Sequence, residues 1–334
     1  MEVTAGVVVP VAEPSQVGEA RRRAAEFGAD AGFDATALGR LALVVTEAGT
    51  NLLKHGRGGD LFVGPAGGRG APGVQVIALD RGPGMTSLEA SLRDGFSTAG
   101  TQGTGLGAIA RVSSTFDVYS LPGAGTALAA TVFANGVAPP PVGALSVPMR
   151  GEERCGDGWA IWSAGELTSI FVSDGLGHGA DAAEATRAAI AAFRQHAERP
   201  AAAVIDLVFD ALKPTRGAAV AVAELDAREG RARYCGLGNI AAVIAPPDGA
   251  PKHLVSHNGI AGHTRRRLQE FVYPWPPGSL LIMHSDGIGT AWSLDRYAGL
   301  RARRPDVIAG VIYRDAVRGR DDATVVVVRN GAGS

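Results

Sequence analysis

The 334-residue chain has only two cysteines, Cys155 and Cys235. They are not in CxxC spacing, which excludes a disulfide scaffold and a cysteine-built zinc site. Each is followed by glycine in apolar surroundings, so buried, inert thiols are expected. An excess of charge is also missing. The formal net charge is -1, which argues against a basic surface that tracks nucleic acid. No apolar run approaches the roughly 18 residues that span a membrane. The opening "MEVTAGVVVPVAEP" starts acidic and breaks its short apolar stretch at proline, a poor secretion signal. A cytoplasmic setting without membrane or nucleic-acid partners is the expectation. What the chain does have is 46% hydrophobic against 19% charged residues. That supplies ample core, and the length suits two domains of ordinary size.

Proline and glycine mark the division. "NGVAPPPVGALSVP", residues 135–148, lacks periodicity and charge, and clustered prolines cannot continue a helix. Residues 1–136 and 149–331 are therefore expected to form the domains, with 137–148 as linker. In the first, "SQVGEARRRAAEFGADAG" reads as a helix capped by Ser15. "DATALGRLALVVTEAGTNLLKHG" reads as a second, capped by Asp34 and stopped at Gly56. Strands near 60–64, 73–79, 115–120 and 126–133 and a helix near 105–114 complete a pattern of helices on one face of a mixed sheet. In the second, strand patterns dominate, interrupted by alanine-rich helices near 180–197 and 199–212 and a later one over 305–316. That pattern predicts a β-sandwich flanked by helices.

Four segments of the first domain hold polar or glycine residues that packing does not ask for. Glu47 and Asn51 are four apart on one helix face, where a carboxylate and an amide suit a magnesium ion and a hydroxyl or water. Taken alone, the pair also suits a solvated face. In "LDRGPGM" a strand ends at Asp80, able to accept from an adenine amino group, beside Gly82 and Gly84, which let a flat ring approach the backbone. "DGFSTAGTQGTGLGAIAR" carries Gly103, Gly105 and Gly107 into a helix start, where free backbone amides cradle phosphate. "GAGTALAATVF" places Thr126 on the last strand. In order and spacing these segments resemble the GHKL ATPases, and within them the RsbT-type switch kinases, over most of residues 10–135. The resemblance implies a Bergerat two-layer α/β sandwich that binds ATP. Glu47 would be general base or water-orienting carboxylate, Asn51 a magnesium ligand and Asp80 the adenine contact. Gly82, Gly84, Gly103, Gly105 and Gly107 would shape the nucleotide loops, with Thr126 on the adenine side.

The second domain places acids at strand ends: Asp157, Asp174, Asp286, and Asp321 with Asp322. Carboxylates beside apolar strands repel one another unless cations bind between them. Hard oxygen donors without His or Cys select Mg2+ or Mn2+. "SDGLGHGADAAEA", "SDGI" and "RDDATVVVV" resemble the metal-dependent (PPM) protein phosphatases of the SpoIIE/RsbX branch, over about 148–330. The resemblance implies that Asp174 bridges two metals, completed by the Gly175 carbonyl, Asp157, Asp286 and Asp321, with Asp174 and Asp286 central to hydrolysis of phosphoserine or phosphothreonine. Asp322 would orient its neighbour. His178 reads as a structural loop histidine, with protonation of a leaving group as the alternative, and His253, His257 and His263 lack the HExxH spacing or cysteine partners of a zinc site. Arg265, Arg266 and Arg267 read as a solvated basic run, with steering of an acidic phosphoprotein as the alternative. Together the two resemblances imply a partner-switching regulator, bearing both a kinase-like domain and a phosphatase, whose substrate is a STAS-domain phosphoprotein, an anti-sigma antagonist. Alternatively, the first domain binds ATP only to sequester a partner such as a sigma factor, or to gate the phosphatase.

Overall fold

Alternating apolar residues and two amphipathic helices build the first unit of a computed structural model, which describes residues 5–68, 71–88, 105–134, 142–263 and 268–331. Strands β1 (Val7–Val11), β2 (Gly59–Gly68), β3 (Ala71–Leu79), β4 (Thr115–Leu121) and β5 (Gly125–Phe133) form one sheet in the order β1-β2-β3-β5-β4. Every pairing is antiparallel, so the sheet is not mixed as expected: β2–β3 and β4–β5 are consecutive pairs, and β3 also meets β5 in opposite directions. Helices α1 (Pro14–Asp30) and α2 (Ala35–Asn51) bury Val17, Ala20, Leu41, Val44 and Val45 against Leu61, Val63, Val74, Val76 and Leu128. Asp34 caps α2 through Ala37 N at 2.7 Å, as the sequence predicts. The start of α1 differs. Its cap is Glu13, whose backbone N–H donates to the Gln16 side chain at 2.9 Å, and Ser15 lies inside the helix. Beyond Asn51 the helix widens into a π turn, Leu52–Gly56, which ends at Arg57 in the left-handed region. Helix α3 (Gly105–Val112) completes the helical layer through Leu106 and Ile109.

The opposite face of this sheet is buried too. Ile77, Leu79, Tyr119, Ala127 and Ala129 are each 4% exposed or less. A two-layer sandwich would leave that face to solvent. A later segment, Ala291–Asp315, belongs to the same unit and carries most of a helix over Pro305–Ala316. A Cβ at Gly310 would lie 3.0 Å from Ile77 and 3.1 Å from Leu79, so this glycine lets the helix approach the sheet closely. Arg304 N donates to Asp117 at 2.7 Å, and Arg314 Nη1 donates to the Asp80 carbonyl at 3.0 Å.

The second unit is a sandwich of two antiparallel sheets. One contains β7 (Asp157–Ala164), β8 (Leu167–Gly175), β9 (Ala218–Asp226), β10 (Arg231–Leu237) and β13 (Phe271–Pro274), in the order β13-β10-β9-β8-β7. The other contains β6 (Val142–Val147), β11 (Ala241–Ala245), β12 (Lys252–His253), β14 (Leu280–His284) and β15 (Ala323–Arg329), in the order β12-β11-β14-β15-β6. Ile170, Val172 and Ala221 face Leu281, Met283 and Val326 across the core. Helices α4 (Ala180–His196) and α5 (Ala201–Leu212) pack Phe193, Ile205 and Val208 onto the outer face of the first sheet. The stretch read as linker, 137–148, thus contains a strand. After its prolines, "VGALSV" pairs with β15 and buries Ala144 and Leu145. The helix over Pro305–Ala316 is α6. No helix among the described residues is long and apolar enough to cross a membrane.

Candidate functional sites

Helix α2 presents Glu47 and Asn51 toward the start of α3. A Cβ at Gly105 would stand 3.3 Å from Asn51 Oδ1 and 3.9 Å from Glu47 Oε2, so the start of α3 passes close to both side chains. Asn51 Nδ2 is buried and has no hydrogen-bond partner among the described residues. An unpaired buried donor is costly, and here it points to a ligand-shaped requirement. At the end of β3, Asp80 Oδ1 accepts from Gly82 N at 2.8 Å and Thr126 N at 3.2 Å, leaving Oδ2 free of these bonds. Burial raises the pKa of this carboxyl despite both donors. Thr126 closes the arrangement, since its carbonyl accepts from Asp80 N and its Oγ1 lies 3.0 Å from Ser120 Oγ. Gly84 and Gly125 both adopt positive φ, and a Cβ at Gly125 would collide with the Asp80 carbonyl. Gly107 lies in the first turn of α3. Gly103 lies outside the described residues. The free carboxylate oxygen, the Asn51 amide oxygen and the helix N-terminus fit adenine, magnesium and phosphate respectively.

In the second unit, Asp157 opens β7 and Asp174 ends β8 directly opposite it. Asp286 follows β14 and Asp321 precedes β15, and these neighbouring antiparallel strands bring both acids to one end of the second sheet. Burial first, then Asp286 and Asp321, lifts the Asp174 carboxyl to about 7. Burial and the charge of Asp174 push Asp157 well above the carboxylate range. Burial and Asp321 raise Asp286. The cluster is buttressed. Ser285 Oγ donates to Asp157 at 2.5 Å, and Asn239 Nδ2 donates to Asp286 at 2.7 Å. Asp322 accepts from Met149 N at 2.6 Å and Gly156 N at 2.7 Å, so it fastens the loop that carries Asp157. Among the described residues, no three His, Cys, Asp or Glu side chains gather tightly enough to enclose a metal ion. The acids form a mutually repelling layer of hard donors, whose chemistry fits Mg2+ or Mn2+.

Proton competition at this layer has a measurable sign. A cation that binds at Asp174 would displace its proton, so apparent Mn2+ affinity should rise about fivefold from pH 6 to pH 7 and about twofold more by pH 8. Titration calorimetry at pH 6, 7 and 8 measures it. A pH-independent affinity would contradict the assignment of Asp174. For the metal-free fold the raised pKa works oppositely: its contribution is full below about pH 4 and is lost as pH rises through about 7.

Sequence reading missed Asn239, Ser285 and Glu152. Glu152 receives His178, with Nδ1 to Oε1 at 2.7 Å, and so holds the loop after Asp174. His257 stacks on Phe271 and bonds Gln269, while His263 bonds the Arg216 carbonyl. Both cysteines are buried and free, and burial raises each thiol. Arg265, Arg266 and Arg267 lie outside the described residues.

Comparison with known proteins adds family. The model described as Stage II sporulation protein E (SpoIIE) matches residues 164–330, half the chain. That of a histidine kinase-like ATPase domain matches residues 11–132. Serine/threonine-protein kinase RsbT of Bacillus subtilis (strain 168) is 30% identical over 111 residues, 33% of this chain and 84% of RsbT. Phosphoserine phosphatase RsbX of the same organism is 24% identical over 139 residues, 42% of this chain and 70% of RsbX. A solved chain from work on the bacterial stressosome, a modular system adapted to control secondary messenger signaling, is 29% identical with a TM-score of 0.53. It covers 56% of this chain and 98% of its own length.

Proposed function

The chain belongs to the SpoIIE family by its C-terminal half and to the RsbT-like kinase family by its N-terminal third, and from that premise we propose that it phosphorylates and dephosphorylates a STAS-domain anti-sigma antagonist. The observation that carries this reading is the layer of Asp157, Asp174, Asp286 and Asp321 at the ends of four strands. Asp174, Asp157, Asp286, Asp321 and the Gly175 carbonyl would hold Mg2+ or Mn2+. Bound there, such ions would supply charge neutralisation and would acidify a water for hydrolysis of a phosphomonoester. Asn239 and Ser285 fix the carboxylates that they bond, and Asp322 keeps the Asp157 loop in place.

In the first unit, Glu47 would take the proton from the substrate hydroxyl, Asn51 would hold Mg2+ and Asp80 Oδ2 would accept from the adenine amino group. The α3 start, with Gly105 and Gly107, would receive the phosphates. A second reading is an ATP-gated regulator whose sole chemistry is the phosphatase. Arg314 favours it: from a segment lying in sequence between Asp286 and Asp321, it grips the carbonyl of Asp80.

Mass spectrometry of a STAS protein incubated with the full chain separates the two. Under the first reading, ATP with Mg2+ adds one phosphate, and divalent metal without ATP removes it. No transfer, combined with a dephosphorylation rate that changes when a non-hydrolysable ATP analogue is added, would select the second.

A further inference from the structure

Electroneutrality at the acid layer leaves a gap. Two divalent cations cancel four aspartates, yet a phosphomonoester brings roughly two further negative charges at neutral pH. Such a dianion is best met by a guanidinium, whose fork of N–H donors matches phosphate oxygens. Two nearby cations are committed elsewhere. Arg216 pairs with Asp181 at 2.6 Å, and His178 with Glu152 at 2.7 Å. Arg318 is different. Its side chain is exposed and makes no hydrogen bond or ion pair among the described residues. Its backbone is anchored at the layer: Arg318 N donates to the Gly287 carbonyl at 2.9 Å, and Val317 pairs with Ile288. A Cβ at Gly289 would lie 3.8 Å from Arg318 Nε, so the head group overlies the loop that follows Asp286. The charge of Arg318 also acts on Asp286.

We propose that Arg318 is the substrate-phosphate contact of the phosphatase, its guanidinium receiving phosphoryl oxygens at the mouth beside Asp286. The proposal rests on the phosphatase reading above. It assigns Arg318 to substrate recognition and not to metal retention, and this separates it from a structural role.

The test uses the full chain loaded with Mn2+, a phosphoserine peptide and inorganic phosphate. Arg318→Ala should raise KM for the peptide and Kd for phosphate by about tenfold each, and leave Mn2+ affinity and Tm unchanged. Arg318→Lys should recover part of both, because it restores charge without the fork. Arg320→Ala, a neighbouring exposed arginine, controls for general positive charge and should change neither. Wild-type phosphate affinity and KM in Arg318→Ala would overturn the proposal, as would losses that follow weakened Mn2+ binding. Calorimetric phosphate binding decides Arg318 even without turnover. A wild-type chain that binds Mn2+ and phosphate but hydrolyses neither peptide nor aryl phosphate would instead overturn the phosphatase reading.

Discussion

Asp174→Asn is expected to lower hydrolysis of p-nitrophenyl phosphate with Mn2+ by on the order of 1,000-fold. The substitution keeps the side chain's size and removes a charge that faces Asp286 and Asp321. Calorimetry should show Mn2+ binding weakened in parallel, since the amide lacks the negative charge that the carboxylate sets against the dication. The metal-free protein should move the other way. Removing one member of a repelling cluster relieves its neighbours, so Tm without metal should rise above wild type. Glu47→Ala should leave aryl phosphate hydrolysis intact, which assigns the chemistry to the second unit. A variant that binds Mn2+ normally and hydrolyses normally would remove Asp174 from the site.

Asn51→Ala carries the second large effect, and again its two readouts have opposite signs. The buried Nδ2 of Asn51 has no partner among the described residues, so deleting it removes an unmet desolvation cost of about 1–3 kcal/mol. Loss of packing offsets part of that gain, and thermal stability without nucleotide should stay level or rise. The Tm increase produced by ATP and Mg2+ should nearly vanish, because the magnesium-side contact is gone. A merely structural asparagine would behave differently: its loss would lower stability and leave the ATP-induced shift in place. Thermal scans with and without ATP distinguish these outcomes.

These two residues also show what can be read from sequence. An aspartate closing an apolar strand is expensive unless it has work to do, and four of them in one domain raise the expectation of a cation site from sequence alone. Glu47 and Asn51 are legible because helical spacing alone puts them on one face. Their buttresses are not. Asn239 reaches Asp286 across 47 positions and Asp322 reaches Gly156 across 166, and no local pattern encodes such pairs. The helix over residues 305–316 is legible as an apolar helix, but periodicity says only that it is buried and not what buries it. Strand β6 is hidden by its neighbours, because a six-residue apolar run directly after clustered prolines looks like the tail of a linker.

The segment Ala291–Asp315, which belongs with Gly6–Pro140, also sets an order of events during synthesis. The helical face of the first sheet can close once residue 133 has left the ribosome, but the face carrying Ile77 and Leu79 must wait for Gly310. At ordinary elongation rates that interval is roughly ten to thirty seconds. For all of it, a half-finished nucleotide-binding unit holds an apolar sheet surface open while the strands of the phosphatase emerge. The N-terminal unit is thus begun first yet completed only just before β15 finishes the second unit, and a chain interrupted anywhere before residue 310 would release neither function in finished form.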